Sequence, residues 1–128
     1  MSAIRILVSD STDRRTQVWI RAFSQENIEV QGSDQLTDIL MLLERVNADL
    51  LLVNVDTFDL ERQGALLAIR DSFPQLRIIG LSDASPNLAR QQAFRFCVDK
   101  VLTRPISPER VITLFPPLMH RYLCRRIP

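Results

Sequence analysis

The sequence predicts an α/β domain built as a doubly wound, five-stranded parallel sheet. Short apolar runs recur along the chain, each followed by a longer stretch whose apolar residues are spaced three and four apart, the alternation of strand with helix. One run, Leu50-Leu51-Leu52-Val53, is apolar without alternation, as a strand covered on both faces must be. The runs are also separated by helical lengths of chain, so each connection is a crossover that brings the next strand back parallel. At 128 residues the chain has material for one such domain.

Ile4 to Val8 reads as the first strand, and Ser9-Asp10-Ser11-Thr12 supplies a loop and a helix N-cap. From Asp13 to Gln25, Val18, Trp19, Ala22 and Phe23 share one helical face with the arginines opposite. Ile28 to Gln31 is the second strand; Gly32-Ser33 breaks it and caps a second helix striped by Leu36, Ile39, Leu40 and Leu43, ending near Asn47. The central strand begins at Leu50. After it, Thr57 to Gln63 reads as a mostly polar loop, and Gly64 leads into a third helix with Ala65, Leu66, Ile69 and Phe73 that Pro74 stops.

Leu76 to Leu81 is the fourth strand. Ser85-Pro86 joins an N-cap to a proline at the first helical position, where its missing N–H has no partner to lose, and starts a helix carrying Leu88, Ala89, Gln92, Ala93 and Phe96. Val98 to Thr103 is the fifth strand. Ser107-Pro108 repeats the start for a last helix through Val111, Ile112, Leu114 and Phe115, which Pro116-Pro117 interrupts. The domain is expected over residues 1–117, with 118–128 a tail or linker stub.

The formal net charge of +1 gives no case for a nucleic-acid footprint, and no helix-turn-helix pattern is present. Gly32, Gly64 and Gly80 are too scattered to form a phosphate-cradling loop. Cys97 and Cys124 lie far apart with no neighbouring metal-ligand pattern, so no zinc site or disulfide framework is expected and a reduced, cytoplasmic setting is. No stretch resembles a signal peptide or a membrane span. No cofactor, metal or enzymatic activity is expected.

Sheets of this kind bind ligands beyond the carboxyl ends of their strands, so the side chain of Asn54 is the first place to look for chemistry. Asn54 ends the central strand. Its amide can hydrogen-bond but carries no charge, so it is neither a carboxylate nucleophile nor a charged metal ligand.

These strand ends resemble the receiver domain of bacterial response regulators over residues 3 to 115. Ile6-Leu7-Val8-Ser9-Asp10-Ser11 is similar to the family's first strand and acidic pair, with Ser11 in the second acidic position. Asp49-Leu50-Leu51-Leu52-Val53-Asn54 resembles the strand that ends in the phosphoacceptor aspartate, with Asn54 in its place. Ile78-Ile79-Gly80-Leu81-Ser82 resembles the fourth strand with its switch hydroxyl, and Val101-Leu102-Thr103-Arg104-Pro105 the fifth, with Arg104 for the lysine. The resemblance implies a flavodoxin-like, CheY-like (βα)5 fold with strand order 2-1-3-4-5.

In that family a magnesium ion sits on the acidic pair and the phosphoacceptor while the aspartate attacks a phosphoryl group. Here two of the three carboxylates are missing, Thr57-Phe58 replaces the usual Met-Pro pair, the usual glycine is displaced to Gly64, and Val101 replaces an aromatic residue. The resemblance therefore implies a degenerate, or pseudo-, receiver, with its altered pocket at Asp10, Ser11, Asn54, Asp56, Ser82 and Arg104. Asp10 is expected to pair with Arg104 rather than hold a metal alone. Asp56 and Asp13 are the residues that could rescue phosphorylation, on this reading, if the register slips by two or three places.

The expected function is a phosphorylation-independent module of bacterial two-component signal transduction, acting on a transcriptional or other output by protein contact. The expected contact face is the fourth helix, fifth strand and fifth helix, through Arg90, Phe94, Arg95, Val101, Arg110 and Leu114, with a signalling partner or in a homodimer. Two alternatives stand beside it: a small-molecule or anion sensor using Arg104, Ser82 and Asn54, and a residual phosphoacceptor at Asp56 or Asp10.

Overall fold

A computed structural model describes residues 4–25, 28–56, 60–96 and 98–114, without the side chains of residues 89, 92–94 and 96. The elements are β1 (Arg5–Ser9), α1 (Asp13–Ser24), β2 (Glu29–Gly32), α2 (Leu36–Leu43), β3 (Leu50–Asn54), α3 (Leu60–Ser72), β4 (Arg77–Ser82), α4 (Pro86–Phe96), β5 (Lys100–Thr103) and α5 (Pro108–Leu114). The five strands form one parallel sheet in the order β2-β1-β3-β4-β5.

Strand β3 lies at the centre, with all its residues buried. Because successive side chains of a strand point to opposite faces, β3 serves two cores. Leu50 and Leu52 join Ile6, Val8, Trp19, Phe23, Leu81, Val111 and Ile112 on the side of α1 and α5. Leu51 and Val53 join Leu7, Leu36, Ile39, Leu66, Ile69 and Ile78 on the side of α2 and α3. Trp19 and Phe23, one helical turn apart, stack with ring centroids 5.6 Å apart. A fully buried side chain such as Phe23 contributes about 1.5–3 kcal/mol by its removal from water.

The helix starts follow local chemistry. Thr12 caps α1 by accepting the Arg15 N–H at 3.1 Å. Ser85 accepts the Leu88 N–H at 3.5 Å and Ser107 the Arg110 N–H at 3.3 Å, so both Ser-Pro pairs open helices.

Four boundaries depart from the sequence reading. Gln35, not Ser33, occupies the N-cap of α2, and it makes no side-chain capping bond. The Ser33 hydroxyl is already engaged, accepting the Gln35 N–H at 3.1 Å and donating to Asp38 at 2.7 Å. Helix α2 also stops at Leu43, short of Asn47, because the Arg45 and Val46 amides both turn back onto the Leu42 carbonyl. Helix α3 starts at Leu60 and takes Gly64 into its interior, on an exposed face where the glycine breaks nothing. Strand β5 starts at Lys100 rather than Val98, since Asp99 bonds the edge of β4 through its amide to the Ile78 carbonyl and its carboxylate to the Ile78 N–H. Residues 57–59, Cys97 and everything from Phe115 on, including Pro116-Pro117 and the expected tail at 118–128, lie outside the described residues.

Candidate functional site

The register sets the site. Ser9 is opposite Val53, Asn54 opposite Leu81, and Ser82 opposite Thr103, so Asp10, Asn54, Ser82 and Arg104 share the carboxyl edge of the sheet.

Asp10 is fully buried at this edge. Its oxygens receive three donor groups: Arg104 Nη2 at 2.6 and 2.5 Å, the Trp19 indole N–H at 3.0 Å and the Ser11 amide at 2.7 Å. Its own amide donates to the Thr16 hydroxyl at 3.0 Å. Arg104 thus addresses both carboxylate oxygens with one nitrogen. Its Nε lies 3.2 Å from Asp83 Oδ1, close enough for charge attraction but not aligned as a hydrogen bond. Asp83 in turn accepts from Arg15 at 2.8 Å, and Arg15 also reaches the Ser11 hydroxyl at 3.4 Å. The hydrogen bond from Arg15 to Asp83, and then the charge of Asp83, raise the Arg15 pKa above its ordinary value.

The other half of the site is built on Asp56. Asn54 is buried, and its side-chain carbonyl accepts the Asp56 N–H at 3.1 Å, while the Val55 amide carries the ladder on to the Leu81 carbonyl. The Asp56 carboxylate then accepts the Ser82 hydroxyl at 2.5 Å and the Asp83 amide at 2.7 Å, while the Ala84 amide donates to Ser82 Oγ at 2.9 Å. The Asn54 Nδ2 finds no hydrogen-bond partner among the described residues. Asp56 therefore lies in the pocket with β3 in its expected register, and no slip is needed to bring it there. The geometric reason is parity: two residues beyond Asn54, Asp56 returns to the same side. Asp13 stays on the exposed first turn of α1.

Arg62, in a segment whose polarity suggests a loop, belongs to the site. In the first turn of α3 it donates to the carbonyls of Asp34 at 3.1 Å, Ser9 at 3.0 Å and Asn54 at 3.4 Å, clamping the ends of β1 and β3. Trp19 was read as core and is buried, but its N–H also serves the site. A buried tryptophan needs an acceptor, and Asp10 is nine residues before it.

The donor set does not fit magnesium. That ion takes near-octahedral oxygen ligands at about 2.0–2.1 Å, whereas Asp10 is already held by a guanidinium, Ser11 offers only a hydroxyl, and the Asn54 carbonyl serves Asp56. Among the described residues no three His, Cys, Asp or Glu side chains converge as metal ligands. Beside the Asp10–Arg104 pair lies a cavity of about 180 Å³, lined also by Val18, Trp19, Ala22, Ile106 and Pro108.

On the expected contact face, Arg90, Arg95 and Arg110 are exposed, as are Asp99, Lys100 and Glu109. Val101 and Leu114 are half-buried and pack on the cores, Leu114 on the side of α5, so they offer less free surface than expected. The Phe94 side chain lies outside the described residues, whereas Leu88 of α4 is exposed.

A parallel sheet in this order, with its pocket at the carboxyl edge, has the fold of response-regulator receiver domains. The chemotaxis protein CheY4 of Vibrio cholerae is similar at a TM-score of 0.76 and 14% identity, covering 91% of this chain and 99% of that one. The receiver domain of an HD domain-containing protein from Pseudomonas fluorescens has a TM-score of 0.75 at 16% identity, covering 98% and 93%. Response regulator TrrA of Thermotoga maritima, in complex with magnesium and beryllium fluoride, has a TM-score of 0.71 at 16% identity, covering 90% and 98%. No family model and no curated protein sequence matches the chain. The likeness is one of fold. Among the described residues no helix is long and apolar enough to cross a membrane.

Proposed function

We propose that the chain is a receiver-like signalling module of the bacterial cytoplasm that works by protein contact and without phosphorylation. The observation that carries this reading is the capture of Asp10 by Arg104. Aspartyl phosphorylation needs a carboxylate nucleophile and a metal to neutralise the incoming group. The strand-end position holds an amide, the one carboxylate left of the expected acidic pair is paired with a guanidinium, and Asp56 has its oxygens on Ser82 and Asp83. The pocket's charges are matched internally, and the loops after β1, β4 and β5 are tied together through Asp10, Asp83 and Arg104. The module then presents one standing surface rather than a switched one.

That surface is the face of α4, β5 and α5. Arg90, Arg95, Lys100 and Arg110 alternate there with Asp99 and Glu109, a mixture of signs that suits pairing between two copies of the same face. The anion-sensing alternative is the weaker reading, since Ser82, the Asn54 carbonyl and Arg104 Nη2 already serve a carboxylate or amide of the chain, which leaves only Asn54 Nδ2 and Arg104 Nε as donors without a hydrogen bond.

Incubation with magnesium and acetyl phosphate, followed by intact mass measurement, tests the first half of the proposal. The expected result is no adduct; a hydroxylamine-labile phosphoryl group on Asp56 or Asp10 contradicts it. Sedimentation of the wild type against Arg90→Glu/Arg110→Glu tests the second half. The expected result is a dimer that the variant converts to a monomer without loss of fold, and identical sedimentation of the two contradicts it.

A further inference from the structure

We infer that the cavity between α1 and the start of α5 is a binding site for a small aromatic carboxylate. Neither Asn54 nor Ser82 lines it, and the inference does not depend on the signalling role proposed above.

Size and lining select a single ring. The cavity holds about 180 Å³, with Val18, Trp19 and Ala22 of α1 on its wall beside Ile106 and Pro108 at the start of α5. An apolar cavity of about 150 Å³ admits one benzene ring, so the space suits a ring of that size rather than a nucleotide. Val18 points the same way. It is 60% exposed, the one apolar residue among exposed positions of α1 that otherwise carry charged or polar side chains. A β-branched apolar side chain gains nothing there from helix propensity or from water, whereas against a ring it buries its surface.

Charge selects the carboxylate. Arg15, Arg104 and Asp10 also line the cavity. Asp10 and Arg104 neutralise each other, and both Asp10 oxygens are occupied, Oδ1 by Arg104 and the Ser11 amide, Oδ2 by Arg104 and the Trp19 indole N–H. Arg15 is the cation left to a ligand. Its hydrogen bonds to Asp83 and Ser11 both leave from Nη1, so among the described residues the Nε–Nη2 edge of the guanidinium is open to a paired contact with a carboxylate. Arg15, Val18, Trp19 and Ala22 follow at spacings of three, one and three, so one strip of α1 supplies both the cation and the apolar bed.

Trp19 is the chain's single tryptophan, and its fluorescence reads the cavity directly. The wild type is titrated with sodium benzoate, with sodium acetate and with benzyl alcohol at equal ionic strength, and amide NMR shifts are followed in parallel. The expected result is a saturable benzoate response at concentrations about tenfold or more below those needed for the ring or the carboxylate alone, the fold-change of one charge-assisted hydrogen bond. Arg15→Ala should bring benzoate level with benzyl alcohol, and Ala22→Leu, which fills the cavity, should abolish the saturable response. No saturable benzoate response by either readout overturns the proposal. So does an equal response to acetate, which marks a simple anion site, or to benzyl alcohol, which marks apolar filling alone. An Ala22→Leu protein that binds as the wild type does also overturns it. Should that variant fail to fold, the wild-type shifts decide: benzoate must move residues 15–22 and Ile106, and shifts confined elsewhere overturn the proposal.

Discussion

Arg104 places one nitrogen between the two oxygens of Asp10, a residue 94 positions earlier, and so joins the loop after β5 to the end of β1. Asp10 is wholly buried and Arg104 largely so, at 0% and 22% side-chain exposure. A buried charge that loses its partner is strongly destabilising. Arg104→Ala should therefore cost about 3 kcal/mol. Asp10→Ala/Arg104→Ala should cost clearly less than the two single changes summed. Urea denaturation of the four proteins measures this coupling, and additive losses would show that the pair contributes nothing of its own.

Two glycines should respond in opposite directions. A methyl group at Gly32 would stand 2.4 Å from the Val8 carbonyl oxygen and 2.8 Å from Thr16 Cγ2, where backbone must move. Gly32→Ala should destabilise by about 1–3 kcal/mol. At Gly64 the same methyl meets nothing within 4 Å, so Gly64→Ala should stabilise α3 by about 0.5–1 kcal/mol. Denaturation midpoints compared at constant m-value decide both.

Asn54→Asp restores a carboxylate where the central strand ends, but Asp10 remains with Arg104. The added buried charge should lower stability by about 1–3 kcal/mol. Magnesium should not recover it. Melting curves with and without magnesium check this, and a rise confined to the magnesium sample would show that Asp10 can leave Arg104 for a metal.

Arg15 and Asp83 form an exposed pair, with side-chain exposures of 45% and 49%. Such pairs are screened by water and salt, so Arg15→Ala should leave the melting temperature nearly unchanged. The sign of the Arg15 shift agrees: its pKa is raised, so whatever the pair contributes is present in full below the ordinary arginine value and fades only above it. Melting curves of Arg15→Ala and wild type should therefore keep the same small separation across neutral pH.

The architecture was legible because strand burial leaves a direct mark: β3 reads as an unbroken apolar run and lies at the centre of the sheet. Capping chemistry marked the starts of α1, α4 and α5. What escaped reading depended on the path of the chain after a strand. Gly64 suggested a helix start, yet an exposed glycine is tolerated inside a helix at modest cost, and this moved Arg62 from an assigned loop into α3. The side of Asp56 follows from parity with Asn54, but its bonds to Ser82 and the Asp83 amide join residues 26 and 27 positions apart, which periodicity does not reveal.

The account rests on a pocket whose anionic and cationic groups already satisfy one another. A two-dimensional amide NMR titration with magnesium and beryllofluoride, against a fluoride-only control, tests this most directly through the resonances of Asn54, Ser82 and Asp83. Superimposable spectra are the predicted result. Magnesium-dependent shifts spreading from these residues into β5 would contradict it and make Asp10, Asp13 and Asp56 the residues to substitute next.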